Sequence, residues 1–195
     1  MAFELVAIGA SWGGLAALRV LLNDLPSDFG AAVVVAQHRA ARAEESLLPS
    51  LLDQQTPLAV RDGEDKDHLV PGEVLIAPPD YHLLIDDGHV ALSCDEPVAF
   101  SRPSIDVLFE TAADAYGARM IAVVLTGSNA DGAEGLAAVR RRGGAAIVQD
   151  PEDAERPEMP RAALAAVPSA RVLPLAEIGQ RLADMVGAAA RSAER

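Results

Sequence analysis

The sequence predicts a doubly wound, Rossmann-like α/β domain: a mostly parallel sheet between two helical layers, forming a three-layer sandwich, with one antiparallel hairpin. Short apolar runs alternate along the chain with amphipathic helical patterns, which is typical of a parallel sheet. The turn Asp86-Asp87-Gly88 between two short apolar runs indicates the hairpin. The 195 residues suit one such domain. We expect it to span residues 1–190, with 191–195 as a frayed tail.

The first half of the chain opens with an apolar strand at residues 5–8, which turns sharply into a helix beginning near Leu15. A second helix is predicted around residues 47–52, where Pro49 is tolerated in the first turn. The pattern predicts the other strands of this half at residues 31–36, 58–60 and 74–77, and the hairpin strands at 82–85 and 89–92.

The second half continues the alternation. Ser104 opens a helix that runs to about Tyr116, and Gly117 stops it. The most strand-like run, at residues 121–125, leads through a polar turn into a helix that ends near Arg142. A strand at 145–148, an acidic loop at 150–160, a short helix, a strand near Val172 and a C-terminal helix complete the predicted elements.

Composition excludes several classes of function. The formal net charge of −13 disfavours nonspecific binding to nucleic acid or to an anionic membrane. No apolar run approaches the roughly 18 residues of a membrane span, and no signal peptide precedes the first strand. The single cysteine, Cys94, cannot form an internal disulfide, so we expect a cytoplasmic protein that neither binds nucleic acid nor inserts into a membrane.

The turn after the first strand, Val6-Ala7-Ile8-Gly9-Ala10-Ser11-Trp12-Gly13-Gly14, carries one reactive side chain, Ser11. A dinucleotide-binding fingerprint would need G-x-G-x-x-G and an acid at the end of the second strand, where this chain has Gln37-His38. A phosphate-binding loop would need Gly-Lys-Ser/Thr, which is absent here. Two interpretations remain: Ser11 is a nucleophile exposed on a strand-turn-helix bend, or it only caps the following helix.

Three polar residues follow directly on strong strands: Ser11, His38 and Asp131. Because ligands bind at the carboxyl ends of parallel strands, these side chains are expected at one edge of the sheet. They would serve acyl transfer as nucleophile, general base and the group that orients the base. The alternatives are that Asp131 forms a capping box with Glu134 and that His38 is a buried structural histidine. No metal-ligand spacing is visible, and no cofactor is expected.

With these residues in place, the sequence resembles the catalytic domain of the CheB family, the chemotaxis protein-glutamate methylesterases and glutamine deamidases. The resemblance implies the same roles for Ser11, His38 and Asp131. It extends in order over nearly the whole chain. The motifs are Ile8-Gly9-Ala10-Ser11-Trp12-Gly13-Gly14, Gln37-His38, Asp62-Gly63, Ile76-Ala77-Pro78, Arg102-Pro103-Ser104-Ile105-Asp106-Val107-Leu108-Phe109, Leu125-Thr126-Gly127, Asp131-Gly132-Ala133-Glu134-Gly135-Leu136 and Met159-Pro160.

The chain departs from the family pattern beside these motifs. The better-known members carry a receiver domain before the esterase domain, and we expect that switch to be absent here. Arg39-Ala40-Ala41-Arg42 replaces a Met-Pro-Pro-Gly-Phe-like loop, Ser128 replaces Met, and Trp12 replaces Thr. The residues expected to line the substrate groove or the oxyanion site are Trp12, Gly13, Arg102, Ser128 and Met159, although Arg102 could equally form a structural ion pair.

The resemblance implies a serine hydrolase that removes methyl groups from γ-glutamyl methyl esters of a chemoreceptor-like signalling protein, releases methanol and can also deamidate glutamine. A signalling kinase or a methyltransferase is an expected partner in trans. Two alternatives stay open. The chain could act by the same chemistry on another signalling protein, or it could be a binding module that keeps the fold without catalysis.

Overall fold

The computed structural model describes residues 2–39 and 47–193, and for residues 188–193 it describes the backbone alone. Arg42, one of the departures from the family pattern, lies outside the described residues. The boundary between the predicted domain and its tail at residues 190 and 191 stays a prediction.

Seven strands form one parallel sheet in the order β3-β4-β2-β1-β7-β8-β9. The central strand β1 pairs with β2 on one side and β7 on the other. The chain therefore builds one half of the sheet, crosses over β1 and builds the other half, which places the topological switch point between β1 and β7. The strands are β1 (Leu5–Ala10), β2 (Ala32–Gln37), β3 (Ala59–Asp62), β4 (Glu73–Ile76), β7 (Met120–Val124), β8 (Ala145–Gln149) and β9 (Arg171–Leu173).

Helices cover both faces of this sheet and make the predicted three layers. Alternate residues of β1 belong to two separate apolar clusters, with Leu5 and Ala7 facing one layer and Val6 and Ile8 the other. Both faces of the central strands are buried, which explains why they read as continuous apolar runs. The helices are α1 (Gly14–Asn23), α2 (Leu48–Asp53), α3 (Ile105–Tyr116), α4 (Ala133–Arg141), α5 (Glu158–Ala166) and α6 (Leu175–Ala193).

The predicted hairpin forms a separate two-stranded antiparallel sheet of β5 (His82–Asp86) and β6 (His89–Ser93). It packs against α3, where the backbone N–H of Ile85 donates to Thr111 Oγ1 at 3.1 Å. Leu83, Ile85 and Val90 are buried in the same apolar cluster as Phe109. The hairpin thus supports the helix whose N-terminus reaches the carboxyl edge of the main sheet.

The predicted fold class is confirmed, and most element boundaries agree to within one or two residues. The acidic loop predicted over residues 150–160 is shorter, because α5 already begins at Glu158. The free Cys94 is exposed. In the part of the chain that the structure describes, no helix is both long enough and apolar enough to cross a membrane.

Candidate functional site

Ser11, His38 and Asp131 meet at the carboxyl edge of the sheet, next to its switch point. Ser11 follows β1, His38 follows β2 and Asp131 lies in the turn between β7 and α4. Ser11 Oγ lies 3.0 Å from His38 Nδ1, and His38 Nε2 lies 2.7 Å from Asp131 Oδ2. The structure therefore joins all three predicted residues in one chain of hydrogen bonds.

The two imidazole nitrogens have distinct roles in this chain. A carboxylate can only accept a hydrogen bond, so the bond to Asp131 assigns the proton of the neutral ring to Nε2. Nδ1 then carries the lone pair and accepts from the Ser11 hydroxyl. In the serine protease arrangement the serine faces Nε2 and the aspartate faces Nδ1, so this site presents the ring with the opposite assignment.

The Asp131 carboxylate is buried and accepts four hydrogen bonds. Besides His38, its donors are the Ser104 hydroxyl at 2.9 Å and the backbone N–H groups of Ile105 and Asp106 at 2.8 and 3.0 Å. Burial by itself raises the pKa of Asp131, but the hydrogen bonds from His38, Asp106 and Ile105 outweigh it and hold the pKa below its ordinary value. The group stays ionised beside the imidazole.

The alternative considered for Asp131, a capping box with Glu134, is not formed among the described residues. The N-cap of α4 is Gly132, without a side-chain cap, and Asp131 instead serves the N-terminal N–H groups of α3. Asp106, on α3, makes the reciprocal contacts with the start of α4. Its Oδ1 accepts from the backbone N–H of Gly132 at 2.9 Å and of Gly135 at 2.7 Å. Each helix N-terminus thus binds a carboxylate from the segment that begins the other helix. A helix N-terminus favours a nearby negative charge.

The buried position of Asp106 close to Asp131 raises the pKa of Asp106. Burial first, and then the neighbouring charge of Asp131, raise the pKa of Asp106 to about 6, against the opposing effect of the Gly135 and Gly132 N–H groups. The folded protein therefore binds more protons than the unfolded chain between about pH 4 and pH 6. Stability contributed by protonated Asp106 is present below this range and is lost as the pH rises through it.

We expect Asp106→Asn to stabilise the fold at pH 7.5 but not at pH 4.5, because asparagine keeps an acceptor for α4 without the charge. The side chain is part-buried, and solvent screens some of the repulsion, so the expected gain at pH 7.5 is about 1–2 kcal/mol. Urea unfolding of wild type and variant at both pH values measures it. Asp28→Asn, on an exposed residue before β2, controls for the loss of one negative charge. An equal difference between wild type and Asp106→Asn at both pH values would contradict the prediction.

The alternative that Ser11 only caps α1 is not supported by its contacts. The N-cap of α1 is Gly13, which has no side-chain cap and adopts a φ of 79°, in the left-handed region that favours glycine. The Ser11 backbone is held on both sides instead: its N–H donates to Thr126 O at 3.0 Å and its carbonyl accepts from Gln37 Nε2 at 2.8 Å. These contacts leave the hydroxyl directed to His38.

The acidic loop after β8 forms one wall of the site. Glu155 accepts from the indole Nε1 of Trp12 at 2.9 Å, and the Arg156 guanidinium lies 5.4 Å from the centre of the indole ring. Thr126 connects the turn that contains Trp12 with the acidic loop. Its hydroxyl lies 3.0 Å from Trp12 O and accepts from the Arg156 N–H at 2.8 Å. Trp12 itself remains 60% exposed beside Ser11.

The other predicted site residues occupy different environments. Met159 is buried and packs so closely on Gly127 that a Cβ there would overlap both Met159 Sδ and Ser11 Cβ. Ser128 is exposed on the turn between β7 and α4. Arg102 forms the structural ion pair considered above: Nε and Nη2 contact Asp80 at 3.0 and 2.6 Å, and Nη1 donates to two backbone carbonyls. Its guanidinium is therefore engaged within the fold.

Sequence reasoning did not single out several residues that hold the site together. The sequence predicts that Ser104 starts α3, but it does not predict the hydrogen bond from the Ser104 hydroxyl to Asp131. Thr126 and Glu155 hold the turn after β1 through contacts with Trp12, which is more than 100 residues away in sequence. The positive end of α3 was the one available signal, since a helix N-terminus favours a carboxylate.

Within residues 2–39 and 47–193, no group of three or more histidine, cysteine, aspartate or glutamate side chains is arranged to hold a metal ion. The hydrogen-bonded chain from Asp131 to Ser11 offers instead a nucleophile with an adjacent base, which is suited to acyl transfer.

Comparison with known proteins agrees with this chemistry. The family model described as CheB methylesterase matches residues 6–182. A Leptospira interrogans protein assigned as a protein-glutamate methylesterase/protein-glutamine glutaminase is 43% identical over 181 residues, covering 92% of this chain and 93% of the relative. A protein of the same name from Anaeromyxobacter dehalogenans is 42% identical over 182 residues, 93% of this chain but 53% of the longer relative.

The crystal structure of the Thermotoga maritima CheB methylesterase catalytic domain superposes with a TM-score of 0.89 at 34% sequence identity. The match covers 95% of this chain and all of that domain. The fold, the hydrogen-bonded chain at the sheet edge and these similarities lead to one conclusion. The chain belongs to the CheB methylesterase family.

Proposed function

We propose that this protein hydrolyses γ-glutamyl methyl esters on a chemoreceptor-type protein, with Ser11 as nucleophile, His38 as general base and Asp131 as the residue that orients His38. The single observation that carries the proposal is the continuous hydrogen-bonded chain Ser11–His38–Asp131, with distances of 3.0 and 2.7 Å. The names of the relatives as protein-glutamate methylesterases support the choice of substrate class.

In the first half of the reaction, Ser11 Oγ attacks the ester carbonyl while His38 Nδ1 takes the hydroxyl proton. The tetrahedral intermediate collapses, the bond to the methoxy group breaks, and the proton returns from His38 to release methanol. In the second half, His38 takes a proton from water, which attacks the acyl-enzyme. Collapse restores Ser11 and leaves a glutamate carboxylate on the substrate.

Asp131 supports both halves by stabilising the imidazolium that forms in each. Its depressed pKa keeps it a carboxylate throughout. Because its partner atom is Nε2, it also holds the tautomer in which Nδ1 is free to accept the Ser11 proton. The protein thereby keeps the base in one orientation before substrate binds.

The oxyanion of the tetrahedral intermediate would be bound by the backbone N–H groups of Trp12 and Gly13. These follow the nucleophile directly and precede α1, so the positive end of that helix lies beside them. Among the residues that the structure describes, neither N–H has a hydrogen-bond acceptor. Both are therefore available to a developing negative charge.

The same site could deamidate glutamine, with ammonia leaving in place of methanol, and the relatives' second name, protein-glutamine glutaminase, favours this additional activity. We further propose that the protein works in the cytoplasm, where its free, exposed Cys94 would stay reduced. A signalling kinase or a methyltransferase would act in trans on the same pathway, the latter supplying the ester that this site removes.

The proposal is tested by methanol release from a chemoreceptor cytoplasmic fragment that a methyltransferase has labelled with radioactive methyl groups. Volatile radioactivity should appear with the wild-type protein and remain at background with a fragment labelled elsewhere, such as on lysine. Ammonia release from the unmethylated fragment reports deamidation in parallel. Binding of the fragment without release of either product would favour the non-catalytic binding module instead.

A further inference from the structure

A cavity of about 280 Å³ opens directly beside the catalytic histidine. Its lining includes His38, Arg39, Asp80, Phe100, Ser101 and Arg102. His38 and Arg39 both line it, so the base and the arginine border the same space. The cavity is therefore placed to hold the segment of substrate next to the reacting ester.

The two arginines of this cavity differ in how far their donors are satisfied. Arg102 uses Nε, Nη1 and Nη2 in hydrogen bonds to Asp80 and to two backbone carbonyls. Arg39 has one such bond, from Nη2 to Asp62 Oδ1 at 2.8 Å. Although its side chain is only 5% exposed, Nε and Nη1 have no hydrogen-bond partner among the residues that the structure describes.

Unsatisfied donors on a buried cation are costly, so a native protein seldom keeps them without a role. A carboxylate is the ligand that a guanidinium binds best among protein groups. The Asp62 side chain is 37% exposed and accepts from only one of the three guanidinium nitrogens of Arg39. Within the described residues, Arg39 thus keeps two unpaired donors beside a cavity that its own side chain lines.

We propose that this cavity is a carboxylate subsite, in which Arg39 binds an unesterified acidic side chain that flanks the methyl ester in the substrate polypeptide. The inference rests on the proposed function, whose product is itself a glutamate carboxylate. On a helical segment, residues three or four positions apart lie on the same face, with Cβ atoms about 5–6 Å apart. Hydrolysis of one ester would therefore create the group that helps to bind the neighbouring ester.

The test uses receptor fragments with one methyl ester and either glutamate or methionine at the positions three and four residues away. Methionine is neutral, similar in length and cannot be deamidated. We expect wild-type kcat/KM to be about 10-fold or more higher for the glutamate fragment, as for a charge-assisted hydrogen bond. Arg39→Gln should lose this preference, so that its kcat/KM values on the two fragments become equal. Arg19→Gln, an exposed arginine on α1, should retain the preference.

Equal wild-type rates on the two fragments would overturn the subsite while leaving the esterase function intact, and this comparison needs no variant. A preference that survives in Arg39→Gln would overturn the assignment to Arg39. Absence of methanol from both fragments would overturn the proposed function itself and the subsite with it. Far-UV circular dichroism and thermal melting of Arg39→Gln show whether the variant is folded, and Arg39→Lys, with fewer donors and the same charge, should show a reduced preference.

Discussion

Replacing Ser11 by alanine is expected to lower the rate of methanol release by at least about 10⁴-fold while leaving the fold unchanged. The hydroxyl contacts His38 Nδ1 at 3.0 Å, and α1 does not use it as a cap. Removal of Oγ therefore eliminates the attacking atom without removing a structural hydrogen bond of the helix. Single-turnover release of labelled methanol measures the chemical step directly.

The matched control for this variant is Ser27→Ala, on an exposed residue in the loop before β2. It should retain wild-type activity and the same cooperative melting transition as Ser11→Ala. If Ser11→Ala kept substantial activity, another group would have to form the acyl intermediate, and the proposed mechanism would fail. A loss of about 1 kcal/mol of stability with normal turnover would instead restore the capping interpretation.

Replacing Asp131 by asparagine is expected to lower kcat by about 10⁴-fold, as the loss of the orienting aspartate does in serine proteases. Asparagine is neutral, so in either amide orientation it stabilises the imidazolium less than the carboxylate does. In the orientation that places the amide nitrogen at the Oδ2 position, this nitrogen would also face the His38 ring and the Ile105 N–H. His38 can relieve this conflict only by moving its proton to Nδ1. That nitrogen could then no longer accept the proton of Ser11, so the base would be lost.

Asparagine at this position also disturbs the start of α3, because one amide cannot accept all four hydrogen bonds that the carboxylate accepts. Each buried donor left without an acceptor costs about 1–3 kcal/mol. The comparison variant is Ser104→Ala, which removes one of the same donors and the N-cap of α3 without changing the tautomer of His38. We expect it to lose stability similarly but to keep kcat within about 10-fold. Similar losses of kcat in both variants would show that Asp131 acts only on the fold.

The residue pattern predicted the parallel sheet and the meeting of three polar side chains at its edge, because both depend on short-range features. Continuous apolar runs mark strands that are buried on both faces, and the order of strands and helices brings their carboxyl ends to one edge. Ser11 and His38 each follow a strand directly and Asp131 lies in the turn after β7, so their meeting at that edge required no knowledge of side-chain contacts. The family motifs pointed to the same three residues.

The partners of each side chain could not be predicted in this way, because they depend on the distance and angle between elements far apart in sequence. Asp131 lies one residue before the N-cap of α4, yet its hydrogen bonds go to α3, while Asp106 on α3 serves α4. Which imidazole nitrogen faces Ser11 follows from the same packing.

The two arginines next to the site also show that the sequence does not reveal the hydrogen-bond partners of a side chain. In the sequence, Arg39 follows His38 directly and Arg102 belongs to a family motif, but neither fact tells which guanidinium has donors available. In the folded chain, Asp80 and two backbone carbonyls satisfy Arg102, whereas two donors of the buried Arg39 have no partner among the described residues. Local pattern tells which residues reach the sheet edge, because backbone direction is a local property. Their hydrogen-bond partners depend on three-dimensional packing, because a hydrogen bond forms only within a few tenths of an ångström of its ideal distance.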